Sequence, residues 1–150
     1  MPIKNFGLRW DRKQAEADGL WGKRRGEDPV NLGDQIGIYT LEKSGKIIYV
    51  GKSGIGENPG ITKRLYCHTL NNKSDKWDTF SWFGIRPVRA TGSLIATPKI
   101  HMDASAVVGD IETVLIYLLQ PRFNLRAGKY RHMIEYKQCP SLTLKSFLGA

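Results

Sequence analysis

The stretch GIYTLEKSGKIIYVGKSG, residues 37–54, constrains this chain more than any other. It reads as two short apolar strands around a turn, and strand alternation gives such a hairpin two distinct faces. A three-residue loop Lys43-Ser44-Gly45, with Gly45 in the left-handed region, is the expected connection. That register sets Glu42 opposite Lys46 as a cross-strand charge pair and Tyr39 opposite Tyr49. Both phenols then project from the same side of the sheet, whereas a two-residue loop would put them on opposite faces. Tyrosines favour strands, and paired rings stabilise a hairpin by a few tenths to ~1 kcal/mol. Gly37 and Gly51 add something else, because glycine weakens a strand and marks close backbone approach.

Around the hairpin the elements run strand, strand, helix, strand, helix. This order predicts an α+β domain with a small, mostly antiparallel sheet of three strands flanked by helices. ITKRLYCHTLNN, residues 61–72, reads as a helix that Thr62 starts and Asn71-Asn72 ends, with Ile61 and Leu65 on its apolar face. DTFSWFGIRPV, residues 78–88, reads as the third strand, ending before Pro87. ASAVVGDIETVLIYLLQ, residues 104–120, reads as a second helix stopped by Pro121. Residues 1–33 read as an N-terminal extension holding a short helix, DRKQAEADGLW, and a loop. Residues 34–130 form the domain, with an insertion at about 89–104, and 131–150 an irregular C-terminal extension.

The 150 residues suggest one domain. The N-terminus MPIKNFGLRWDRK lacks the apolar stretch of a secretory signal, so a soluble cytoplasmic protein is expected. Two cysteines are too few for a disulfide framework, and Cys67-His68 lack the paired spacing of a zinc site. The net charge of +9 says more, since a basic surface attracts polyanions. No convincing basic amphipathic helix is present, which favours nucleic acid over a membrane as the partner.

Several single residues stand out. Arg64 and His68 lie four apart and share a helix face, and a guanidinium fork suits a phosphate. On a helical wheel Leu119 falls roughly 20° to one side of Glu112 and Ile116 roughly 40° to the other. A lone carboxylate in such a surface calls for a metal cation or a buried arginine. Asn124 follows that helix in PRFN. Lys52 leaves the hairpin directly after Gly51.

Gly37-Ile38-Tyr39, Tyr49-Val50-Gly51 ten residues later, Arg64 with His68, Glu112 on a helix and Asn124 in P-x-F-N together resemble the GIY-YIG nuclease superfamily. YVGKSG also looks like the matching segment of the incision nuclease of bacterial excision repair. The resemblance covers about residues 35–126. It departs in Val50 for the usual isoleucine, in a long gap from Gly51 to Arg64, and in a long segment before Glu112.

The resemblance implies metal-dependent hydrolysis of a DNA phosphodiester by an endonuclease of the restriction, mobile-element or phage-associated type, with repair as a further role. One divalent cation, Mg²⁺ or Mn²⁺, is expected at Glu112 in each active site. Arg64 would neutralise the scissile phosphate, and Asn124 would hold the local backbone or a phosphate. Tyr39 or Tyr49 would orient and deprotonate the attacking water; by analogy with the family Tyr39 takes the role of base, with His68 behind it to accept the phenol proton and Tyr49 as a positioning hydroxyl. An ordinary tyrosine, with a pKa near ~10, is only about one-thousandth phenolate at pH 7, so such a base needs nearby cations. Lys52, Arg122, Arg126, Lys129 and Arg131 are the expected grips on the DNA backbone. A homodimer would explain double-strand cutting. A non-catalytic basic nucleic-acid-binding module and a nuclease effector or toxin are the competing readings.

Overall fold

The hairpin forms, but its turn is tighter than expected. Strands β4 (Gly37–Lys43) and β5 (Lys46–Ser53) are joined by two residues, Ser44 and Gly45, with φ of 48° and 78°. Positive φ at both central positions is the turn geometry whose twist matches the flanking strands. The register corrects the sequence expectation: Lys43 faces Lys46, Glu42 faces Ile47 and Tyr39 faces Gly51, while Tyr49 faces Leu41. Between Leu41 and Glu42 the pairing skips Ile48, a β-bulge. The extra residue reverses the parity that the short turn would have imposed. Tyr39 and Tyr49 therefore share a face after all, diagonally rather than directly opposed.

The computed structural model describes residues 3–53, 60–96, 114, 118, 119 and 133–149. Strand β6 (Thr79–Gly84) pairs antiparallel with β4 and with β1 (Asn5–Asp11). β7 (Ile134–Glu135) adds to β1 in parallel, giving a five-stranded mixed sheet in the order β5-β4-β6-β1-β7. The three strands expected from sequence are thus five, the two additional ones supplied by the lead-in and the tail. A second, antiparallel sheet of three strands joins β3 (Val30–Asn31), β2 (Trp21–Lys23) and β8 (Lys137–Gln138). The tail is not irregular, since it also forms helix α3 (Ser141–Leu148), closed by Gly149 in the left-handed region. The chain is α+β. No described helix is long and apolar enough to cross a membrane.

Helix α1 (Arg12–Asp18) begins where the side chain of Asp11 accepts from the backbone N–H of Gln14, an N-cap. Helix α2 (Ile61–Leu70) starts behind Gly60 rather than at Thr62 and ends at Asn71, as its sequence suggests. Its buried stripe is Ile61, Leu65 and His68, whereas Cys67 and Leu70 face outward. His68 thus completes the buried stripe that Ile61 and Leu65 begin.

Each face of the main sheet carries its own core. On one face Tyr39, Leu41, Phe80, Trp82 and Trp10 pack with α2 and with Leu20, Val30, Leu32 and Tyr136 from the small sheet and its surroundings. On the other, Phe6 and Phe83 pack with Ile3, Met133, Val114 and Leu118, the last two being helical. Trp10 reaches the first face through a second bulge, between Gly7 and Trp10 of β1, where Arg9 takes φ 52°.

Candidate active site

The first face places four of the predicted residues together. β4 presents Tyr39, β5 presents Tyr49, and one face of α2 presents Arg64 and His68 against them. Tyr39 is fully buried, and its hydroxyl lies 2.7 Å from His68 Nε2. The Tyr49 and His68 rings meet edge to face with centroids 4.8 Å apart, and the two tyrosine rings are 6.2 Å apart. The arrangement depends on Gly51. A Cβ built there would fall within bonding-clash distance of the Tyr39 hydroxyl and ring, so only glycine lets the phenol lie flat on β5. Gly37 is required for a similar reason: a side chain would collide with the carbonyl of Phe83 on β6.

Opposed influences act on the central phenol. Burial pushes the Tyr39 pKa up, while a hydrogen bond and the positive charge of Arg64 pull it down, and Tyr49 adds to the rise. Arg64 is in turn held more firmly charged by its hydrogen bond to Tyr39 and by that group's charge. Its Nε is buried without a hydrogen-bond partner among the described residues. Burial depresses the His68 pKa, as do the charges of Lys73 and Arg64, so the imidazole is held neutral.

Two contributors were not singled out from sequence. Asn71 reaches His68 Nδ1 with its Nδ2 at 3.3 Å, and the Lys73 ammonium sits 4.9 Å from the centre of the Tyr49 ring. A cation over an aromatic face is attracted to it. Asn71 could have been found, because it lies three residues after His68 and so on the same side of the helix end.

Lys52 is placed elsewhere. It pairs with Ile38, one step from the Tyr39–Gly51 pair, so strand alternation turns its exposed side chain to the opposite face. Glu112, Asn124, Arg122, Arg126, Lys129 and Arg131 lie outside the described residues. Among the described residues, no three His, Cys, Asp or Glu side chains converge in a way that could hold a metal ion.

A second polar cluster was also missed. Glu42, expected as a surface partner of Lys46, is buried on the other face of the sheet. Its carboxylate accepts hydrogen bonds from Thr40 (3.0 Å), Thr79 (3.0 Å) and Ser81 (2.6 Å). The Arg86 guanidinium donates to the carbonyls of Ile95 and Asp34. Comparison of the chain with protein-family models, with curated proteins and with solved structures finds no match.

Proposed function

We propose that the chain is a DNA endonuclease of the GIY-YIG type, hydrolysing phosphodiester bonds with the help of a divalent cation. The observation that carries this reading is the meeting of Tyr39, Tyr49, Arg64 and His68 in one packed cluster of rings beside a guanidinium. These residues come from three separate elements, and the tyrosines share a face only because a bulge corrects the strand parity. The net charge of +9 suits a polyanionic substrate.

Phosphodiester cleavage gathers negative charge on the phosphoryl oxygens, so its catalysis is largely electrostatic. Glu112 would hold a divalent cation, and the cation would neutralise part of that charge. Arg64 offers a guanidinium to the scissile phosphate while steadying the Tyr39 oxygen. Tyr39 is the base for the attacking water, and Tyr49, the more exposed phenol, orients that water.

The test is cleavage of a supercoiled plasmid in Mg²⁺ or Mn²⁺ against EDTA, by the wild type and by Glu112→Ala and Arg64→Ala. The expected result is metal-dependent cutting that falls by about 10²-fold or more in both variants, with DNA binding retained. Metal-independent, identical behaviour of all three proteins would overturn the reading in favour of a binding module.

A further inference from the structure

The hydrogen bonds behind Tyr39 have a direction that can be worked out from their far end. The backbone N–H of Lys73 can only donate, and it donates to Asn71 Oδ1 at 2.9 Å. This fixes which edge of the Asn71 amide carries oxygen, and hence that the other edge is the NH₂ group. That group lies 3.3 Å from His68 Nδ1 and can only donate. His68 Nδ1 must therefore be the acceptor, with its lone pair free. A neutral imidazole carries one N–H, which then belongs to Nε2, 2.7 Å from the Tyr39 hydroxyl.

We propose that Asn71 is a positioning residue that holds His68 in its Nε2–H tautomer, so that the imidazole donates to the Tyr39 oxygen and does not take its proton. This reverses the role the sequence suggests for His68. The Tyr39 oxygen then accepts from His68, and this donor stabilises its phenolate alongside the positive charge of Arg64. Arg64 works against the burial that raises the Tyr39 pKa, and burial remains the larger influence. The inference deepens the nuclease reading, on which its catalytic meaning rests, while the polarity itself follows from the hydrogen bonds alone.

The test reads the ring directly. Two-bond ¹H–¹⁵N spectra of the full-length protein, without DNA or metal, distinguish the protonated from the bare ring nitrogen. His68→Gln assigns the His68 signals. In the wild type at neutral pH, His68 is expected to show a protonated Nε2 and a bare Nδ1. Asn71→Asp keeps an oxygen for the Lys73 N–H but replaces the NH₂ donor with a carboxylate. The proton is then expected to move to Nδ1, and the His68 pKa to rise above the wild-type value. The other groups facing the ring are Tyr39, Tyr49, Arg64 and Lys73, and the variant leaves all four in place. A wild-type ring protonated on Nδ1 would overturn the proposal, as would an Asn71→Asp ring that keeps its proton on Nε2. Should no variant cut DNA while the tautomers behave as stated, the nuclease reading fails and the role of Asn71 stands.

Discussion

A methyl group has no room at Gly51, because the Tyr39 ring already fills that space. Gly51→Ala must push the phenol aside or bend β5. Overpacking of this kind typically costs about 1–3 kcal/mol. Urea denaturation should register that loss, together with disruption of the Tyr39–His68 hydrogen bond. His68 adds a pH signature. Burial, then Lys73 and Arg64, hold its pKa below the ordinary value in the folded state. The unfolded chain accepts a proton that the native chain resists. The stabilisation is therefore present above the unfolded pKa of about 6.5 and is lost as pH falls through the folded value. The melting temperature should drop on acidification from about pH 7 to about pH 5, and more steeply than in His68→Gln. A His68→Gln protein with the same slope would refute the assignment. At this scale the sequence was readable for the residues that repel their surroundings. Gly37 and Gly51 marked close backbone approach, and the four-residue spacing put Arg64 and His68 on one helix face. Glu42 was misread because an acid beside a turn looks solvated, and nothing local reveals that Thr40, Thr79 and Ser81 will surround it.

At the scale of the element, both bulges do the same thing. Each adds one residue to a strand and so moves a large aromatic onto the face that holds the main core. Ile48 does this for Tyr49, and the irregularity at residues 8 and 9 does it for Trp10. Period-two reasoning fails at such points because a bulge needs no signature residue. Here it falls on Ile48 and beside Arg9, neither of them a glycine. The hairpin expectation was therefore wrong in turn and register yet right about the shared face. Deletion of Ile48, which is 44% exposed, should preserve the Leu41–Tyr49 pair and the ring contacts of Tyr49 with His68, while removing the bulge's extra twist. Ring-to-ring proton contacts by NMR check this, and loss of the Tyr49–His68 contact would contradict it. Helix α3 was legible in principle, since Pro140, Ser141 and Gly149 mark its ends. Strands β7 and β8, at two residues each, offer too little pattern for any periodicity to show.

For the whole molecule, the sheet is finished by the tail. β7 pairs with β1 through Asn5–Ile134 and Phe6–Glu135, and Trp10 Nε1 donates to the Tyr136 carbonyl at 3.2 Å. Met133, Tyr136 and Leu144 are all buried. Fully burying an apolar side chain contributes about 1.5–3 kcal/mol, and a domain's net stability is only about 5–15 kcal/mol. A chain truncated after residue 132 should therefore lose cooperative thermal unfolding and its near-ultraviolet circular dichroism. A sharp, native-like transition in that protein would show that the tail is dispensable. These long-range pairings escape sequence reading because each is set by partners more than a hundred residues away. They also impose a timetable on synthesis. Strand β1 leaves the ribosome more than a hundred residues before β7 and can gain that neighbour only then, whereas the phenols and their helix emerge as one contiguous run. The nascent chain thus carries the makings of its chemistry early and an open, sticky border until late, and that interval is when it most needs shielding from its own copies.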